Sequence, residues 1–179
     1  MLTPKISGMF DCRKYDNTGK KTHDQRDMLA DTDNVTFSAL FPIDAVPECF
    51  FVNGQLDSFA TMKADKRERA AAEAEGRKPV ANCVAVKFKI SPNTRWFDKF
   101  AKPCDRPTNA ELEKNRYSVQ IDFVRKEKDT AQPLKASGYW ANNIMFAVVE
   151  NNPFEGQAFE AAPEPVETNE TNDDLPFGN

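Results

Sequence analysis

The alternation of apolar and polar residues in "ANCVAVKFKIS" (81–91) constrains the fold more than any other feature of the sequence. The even-numbered positions from 84 to 90 are all apolar, whereas positions 87 and 89 are lysines. Successive side chains of a β-strand point to opposite faces, so this period of two predicts a strand with one buried face. The same period occurs in "VTFSALFPI" (35–43) and in "RYSVQIDFVRK" (116–126).

Three further segments complete a predicted set of five or six strands. They are "KISGMFDCRKY" (5–15), the short "CFFVNG" (49–54), and "GYWANNIMFAVVE" (138–150), which is apolar on both faces toward its end. One segment differs, because "SFATMKADKRERAAAEAEG" (58–76) is rich in strong helix formers. The chain lacks the strand–helix alternation of a parallel sheet. The sequence therefore predicts an all-β fold, a five-stranded OB-fold-like antiparallel barrel with one inserted helix at 58–76.

Charge is distributed unevenly along the chain. From Glu155 to the end there are seven acidic residues and no Lys or Arg, so residues 1–154 hold the other 21 acidic residues and all 24 basic ones. The net charge of -4 thus combines a mildly basic body with a strongly acidic tail. The tail is also poor in core-forming residues, which predicts disorder. We expect a barrel domain at 1–153 and a disordered acidic tail at 154–179.

The sequence argues against an enzyme and against a metal or cofactor site. The single histidine, His23, lies in a polar segment, and the four cysteines include no C-x-x-C pair. No H-E-x-x-H, G-x-S-x-G, P-loop or G-x-G-x-x-G motif occurs. We expect reduced structural thiols; a disulfide, a cysteine metal site, or an enzyme with a metal held by acidic loops such as "DTD" (31–33) remain less favoured alternatives.

The sequence also predicts where the protein acts. It contains no run of 18 apolar residues and no signal-peptide pattern at its start. We therefore expect a cytoplasmic protein of a bacterial or phage-infected cell.

Aromatic and basic residues occur together in "NTRWFDKFAKPCDR" (93–106) and "KASGYW" (135–140). Aromatic rings stack on unpaired bases, and basic side chains follow the phosphates, so this combination is typical of single-stranded nucleic-acid binding. The aromatics can equally be core residues, and for Phe97 and Phe100 a core position is favoured. The candidate nucleic-acid-binding residues are Lys87, Lys89, Arg95, Trp96, Lys99, Lys102, Arg116, Tyr117, Lys135, Tyr139 and Trp140.

The chain ends "NDDLPFGN", and this ending resembles the C-terminal tip of bacterial-type single-stranded DNA-binding proteins. In that family several Asp residues are followed by Ile or Leu and then Pro-Phe. The matching residues here are Asp173, Asp174, Leu175, Pro176 and Phe177. The family tip normally ends at the Phe, whereas Gly178 and Asn179 follow it here.

The resemblance implies an OB-fold protein that coats single-stranded DNA during replication, recombination or repair. It implies that the tip docks on replication or repair proteins, and the unfamiliar body indicates a phage or mobile-element version. RNA binding also remains open. The alternative is a non-enzymatic protein-interaction or phage assembly module that does not bind nucleic acid.

Overall fold

The computed structural model describes residues 1–14, 28–128, 131 and 136–149. Five strands of six to fifteen residues dominate it: β1 (Ile6–Asp11), β2 (Val35–Pro42), β6 (Cys83–Phe97), β8 (Tyr117–Lys126) and β9 (Gly138–Val148). Four short strands accompany them: β3 (Phe51–Val52), β4 (Gln55–Leu56), β5 (Ala60–Lys63) and β7 (Pro103–Cys104). The helices are α1 (Lys66–Ala74) and α2 (Asn109–Lys114), with single 3-10 turns at Ile43–Ala45 and Glu48–Phe50.

The five long strands close into a barrel. Around the ring β1 pairs with β2, β2 with β6, β6 with β9, β9 with β8, and β8 again with β1. Counting only the barrel strands along the chain, the ring order is 1-2-3-5-4, which is the Greek-key order of the OB fold. The predicted all-β fold and five-stranded barrel are therefore confirmed.

One pair of barrel strands runs parallel. Four of the five pairings are antiparallel, as the sequence predicts, but β6 and β9 run in the same direction. Strand directions can alternate all the way round a ring only when the number of strands is even. A closed barrel of five strands must therefore contain at least one parallel pair.

Aromatic rings fill the barrel interior. Phe88 of β6, Phe123 of β8 and Tyr139 of β9 meet with ring centroids 5.1–5.8 Å apart. Phe50, from the second 3-10 turn, packs against all three at 5.7–6.0 Å. Because these rings come from three neighbouring strands, the side chains that alternate with them face outward and form the candidate binding surface.

The helix prediction is partly wrong. Residues 60–63 form β5, which pairs with the first half of β6, and α1 spans only Lys66–Ala74. The helix starts there because the Asp65 side chain accepts the Glu68 N–H at 2.7 Å and so caps its first turn. Ala72 is the only buried residue of α1.

A second helix, α2, was not predicted. It lies between the third and fourth barrel strands, and its Leu112 is fully buried in the main core. The helix that packs into the barrel core is therefore α2, whereas α1, within the segment 58–76 predicted as the inserted helix, is largely exposed. In the described part of the chain, no helix is long and apolar enough to cross a membrane.

Candidate nucleic-acid interface

A row of outward-facing side chains crosses four barrel strands in register. Thr36 of β2 lies opposite Lys89 of β6, Lys89 opposite Trp140 of β9, and Trp140 opposite Val124 of β8. Lys87 is exposed two residues before Lys89 on the same face. The strand pairing thus brings together three of the candidates, Lys87, Lys89 and Trp140.

Two lysines lie over the Trp140 indole. The Nζ of Lys126 is 4.7 Å and the Nζ of Lys89 5.6 Å from the ring centroid. The indole Nε1 donates to the Ala136 carbonyl at 3.1 Å, which fixes the orientation of the ring. Lys89 also donates to the Ser137 carbonyl at 2.7 Å. We call the surface formed by Lys87, Lys89, Lys126 and Trp140 the Trp140 platform.

The platform lies beside the connection from β8 to β9. Gly138, the first residue of β9, has a φ of +123°, which residues with a side chain rarely adopt. A Cβ added at this position would lie 3.9 Å from the Cε of Lys89, so the Lys89 side chain passes close to Gly138. In OB folds, the face of the second and third barrel strands and the loops between strands 1–2 and 4–5 bind oligonucleotides. The Trp140 platform occupies the corresponding position here.

A cleft of about 490 Å³ opens beside Thr36 at the start of β2. It lies at the connection from β1 to β2, and its lining includes the basic residues Arg13 and Lys14. The Arg13 Nε donates to Glu113 at 2.9 Å, so part of its charge is already neutralised. The cleft places polar side chains next to the platform, on the side away from Trp140.

The buried carboxylate of Asp57 binds the side chains of Arg125 and Tyr139, each of which directly precedes a platform residue in the sequence. Asp57 is 4% exposed and accepts two hydrogen bonds from the Arg125 guanidinium at 2.6 and 2.8 Å and one from the Tyr139 hydroxyl at 2.7 Å. The Arg125 bonds hold the pKa of Asp57 well below its usual range, whereas burial and Asp57 raise the pKa of Tyr139. Arg125 and Tyr139 directly precede Lys126 and Trp140, so Asp57 fixes the backbone that carries them.

Three candidate aromatics are core residues. Trp96 is 4% exposed and packs against Phe10 and Phe146, with centroids 5.7 and 5.4 Å away. Tyr117 is 2% exposed, burial raises its pKa, and its hydroxyl donates to the Glu111 carbonyl at 3.0 Å. Tyr139 is 1% exposed. The expectation that these rings face solvent is wrong, because each lies on the inward side of its strand.

A second basic group lies at the hairpin between β6 and β7. Arg95 is exposed near the end of β6, and Lys99 and Lys102 are exposed in the hairpin turn. Phe100 lies between these lysines and is 71% exposed, so the favoured core position for it is wrong. These residues follow Lys87 and Lys89 along the chain and form a separate group.

Arg116 is not part of either group. It immediately precedes β8, whereas Lys126 is the last residue of that strand, so nearly the whole length of β8 separates Arg116 from the platform. Lys135 and the predicted docking residues Asp173, Asp174, Leu175, Pro176 and Phe177 lie outside the described residues, as does the predicted tail.

Sequence reasoning missed Lys126, although the signal was present. In "RYSVQIDFVRK" the apolar side chains at 117, 119, 121 and 123 face inward, so position 126 belongs to the outward set. Its approach to Trp140 depends on the β8–β9 register, which a single sequence does not reveal.

The remaining chemistry of the described residues is limited. All four cysteines are free thiols, and burial raises the pKa of Cys49, Cys83 and Cys104. Within the described ranges, no group of three or more His, Cys, Asp or Glu side chains is placed to hold a metal ion.

Comparison with known proteins adds little to the evidence for a nucleic-acid interface that the strand pairing and side-chain contacts give. No family model matches the chain, and no curated protein matches it. Among solved structures the chain is similar to gp2.5, a single-stranded DNA-binding protein encoded by bacteriophage T7, with 11% identity and a TM-score of 0.33 over 89% of this chain and 97% of that one. At this TM-score the similarity carries no argument, and the fold assignment rests on the strand pairing.

Proposed function

We propose that this protein binds single-stranded DNA without strong sequence preference and catalyses no reaction. The observation that carries the proposal is the Trp140 platform, an indole with two lysine ammonium groups over it on the oligonucleotide-binding side of an OB barrel. A planar ring supplies a stacking partner for a base, and the ammonium groups supply charge for the adjacent phosphates.

The platform suits binding without sequence preference. Every base has a π-face, so stacking on Trp140 does not distinguish one base from another. When a base stacks, the ammonium groups of Lys89 and Lys126 leave the ring face and contact the flanking phosphates. Lys87 and the cleft beside Thr36 extend the polar surface along the same side of the barrel.

The direct test compares Trp140→Ala with the unmodified protein. Binding of a fluorescently labelled oligo-dT is followed by anisotropy at two salt concentrations. Loss of one stacked base is expected to cost about 1–3 kcal/mol of binding free energy. Phe51→Ala is the matched control, because Phe51 is an exposed aromatic (41%) on the separate β3–β4 ribbon.

The outcomes separate the proposal from its rival. The proposal is supported if binding weakens as salt rises and if Trp140→Ala, but not Phe51→Ala, lowers the affinity for oligo-dT. If the unmodified protein does not bind oligo-dT at low salt, the proposal fails. Thermal unfolding of each variant shows whether the barrel remains intact.

We further propose that the acidic tip recruits proteins of DNA replication, recombination or repair in the cytoplasm of a bacterial or phage-infected cell. The support is the resemblance of residues 173–177 to the family tip and the absence of basic residues from 155 onward. Deletion of residues 155–179 is expected to abolish partner capture while leaving or strengthening DNA affinity. Weaker DNA binding after the deletion would count against this role.

One observation favours a protein-interaction module as the second candidate. Ile43, Phe51 and Val52, in and near the β3–β4 ribbon, are exposed by 41–48%. Exposed apolar groups of this kind can mark a protein contact. If this candidate is correct, the unmodified protein does not bind oligo-dT. It captures a protein partner instead, and Phe51→Ala reduces that capture.

A further inference from the structure

Phe100 is the most exposed large apolar side chain that the structure describes, at 71%. It lies at the tip of the hairpin between β6 and β7, outside the Trp140 platform. A phenylalanine ring in water forgoes the free energy that burial would give, so such a position suggests a ring that is covered on binding.

The hairpin holds Phe100 in a fixed position. Asp98 Oδ1 accepts the backbone N–H groups of Phe100 at 2.8 Å and Lys102 at 2.9 Å. The Asp98 N–H donates to the Lys102 carbonyl at 2.9 Å, and the Ala101 N–H donates to the Asp98 carbonyl at 3.0 Å. Ala101 completes the turn with φ of +60°. Four hydrogen bonds thus fix the backbone that carries the ring, which reduces the entropy lost on binding.

The core anchors the base of this hairpin. Trp96 pairs with Cys104 across the two strands, and the Trp96 ring is buried against Phe10 and Phe146. The tip therefore projects from a part of the barrel that cannot move independently of the core.

The surroundings of Phe100 favour a negatively charged ligand. The Nζ of Lys99 lies 5.2 Å from the ring centroid, and Lys102 is exposed on the other side of the turn. Lys99 also lines a small cleft over the outer face of β8 and β9, where the only other charged residue in the lining is Lys5. The carboxylate of Asp98 is already engaged by two N–H groups.

The strand pairing relates the hairpin to the platform. On β9, Trp140 lies opposite Lys89, and Met145 lies opposite Phe97 at the end of β6. Five residues of strand span roughly 17 Å, and the exposed Arg95 lies between these two points on β6. A strand of a few nucleotides that starts on Trp140 and follows β6 reaches the hairpin, within the 4–16 nucleotides or so that an OB fold typically covers.

We infer that Phe100 is a second base-stacking residue, which with Lys99 and Lys102 extends the path of single-stranded DNA from the Trp140 platform to the β6–β7 hairpin. The inference rests on the proposed function and assigns it a second contact point. Its occupant is a nucleobase of the same strand, because the ring is flanked along the chain by Lys99 and Lys102, which can contact phosphates.

The test uses the full-length protein with oligo-dT of two lengths: about 2 nucleotides, too short to reach the hairpin from Trp140, and about 15 nucleotides. Phe100→Ala is expected to weaken binding of the longer oligonucleotide by about 5- to 100-fold and to leave the shorter one, held by the platform, nearly unchanged. Phe100→Trp keeps a planar ring and is expected to retain the affinity of the unmodified protein. Phe51→Ala is again the matched control.

Each result decides the question. If Phe100→Ala binds each length as tightly as the unmodified protein does, while Trp140→Ala weakens binding of both lengths, the proposed function stands and the role of Phe100 is overturned. If Phe100→Ala keeps its DNA affinity but loses capture of a protein partner, the hairpin is a protein-docking site and the inference is also overturned. If neither length binds the unmodified protein, the proposed function itself fails.

Discussion

At the scale of single residues, Asp57 links the core to the candidate interface. It is a buried carboxylate whose three best hydrogen bonds come from the two residues that precede Lys126 and Trp140. A buried charge is stable only when it is paired, so the loss of this acceptor leaves Arg125 without its main partner. Stability and the position of the platform therefore depend on the same side chain.

Replacement of Asp57 by asparagine is expected to lower the free energy of unfolding by about 2–4 kcal/mol, since the charge-assisted bonds from Arg125 are lost. The matched variant Tyr139→Phe removes only one hydroxyl donor and is expected to cost about 1 kcal/mol. Urea unfolding followed by circular dichroism measures both. Equal effects of the two variants would contradict the central role of the Asp57–Arg125 pair.

The same pair predicts a pH dependence of stability. The pKa of Asp57 is lowered in the folded state from its ordinary value of 3.8, mainly by Arg125. Its contribution is therefore complete above that value and is lost as pH falls toward the folded pKa, because the unfolded chain takes up the proton first. The difference in unfolding free energy between the unmodified protein and Asp57→Asn is expected to shrink below pH 3.8. A constant difference down to acid pH would refute this assignment.

Part of the residue-level picture could be predicted and part could not. Tyr117 and Trp96 continue the inward sets of "RYSVQIDFV" and "CVAVKFKI", so a consistent extension of the alternation would have placed both in the core. Trp140 and Lys126 meet only through the register of β8 and β9, which includes a shift between Asp122 and Phe123. Such an irregularity leaves no signal in one sequence.

At the scale of elements, α2 shows what a short helix needs. It has only six residues, too few to be stable alone, and it begins with a capping box in which Thr108 and Glu111 exchange side-chain and backbone hydrogen bonds. Its Asn109 Nδ2 donates to the Leu29 carbonyl at 2.7 Å, which ties the helix to the segment before β2.

Thr108→Ala is expected to lower the free energy of unfolding by about 1 kcal/mol, because it removes the hydroxyl that accepts the Glu111 N–H. Thr32→Ala, at an exposed turn position, is a control and is expected to change stability by less than about 0.5 kcal/mol. Thermal unfolding compares the two. A similar small effect of both variants would show that the cap contributes little.

The elements differ in how well the sequence reveals them. Long strands were predictable because alternation over eight or more residues is hard to mistake. The start of the helix at Lys66 was missed because the prediction relied on composition. It placed the start at residue 58, before the preferred N-cap residue Asp65, and so included the residues that form β5. The Thr108–Glu111 spacing is the capping-box pattern, so α2 was recoverable from the sequence.

At the scale of the whole molecule, the protein is acidic while its candidate interface is basic. The net charge is -4, yet Lys87, Lys89 and Lys126 lie together on one side of the barrel. DNA binding by an acidic protein must then depend on local charge and release of counterions from a small number of phosphates.

Lys126→Gln is expected to weaken oligo-dT binding and to reduce the slope of log K against log salt by about 0.7, the value for one phosphate contact on a single strand. Lys114→Gln removes the same charge from an exposed position on α2 and is expected to leave the slope unchanged. Anisotropy titrations across a range of salt concentrations measure both slopes. If the two variants behave alike, overall charge rather than the platform governs binding.

The strand pairing also gives the protein two separable optical reporters. Of its two tryptophans, Trp96 is 4% exposed among core rings, whereas Trp140 lies on the outer face of the neighbouring strand. Indole emission shifts with the polarity of its surroundings, so Trp96 reports unfolding and Trp140 reports events at the surface. In Trp140→Phe the remaining emitter, Trp96, reports unfolding alone, so its signal subtracted from that of the unmodified protein isolates the surface signal of Trp140.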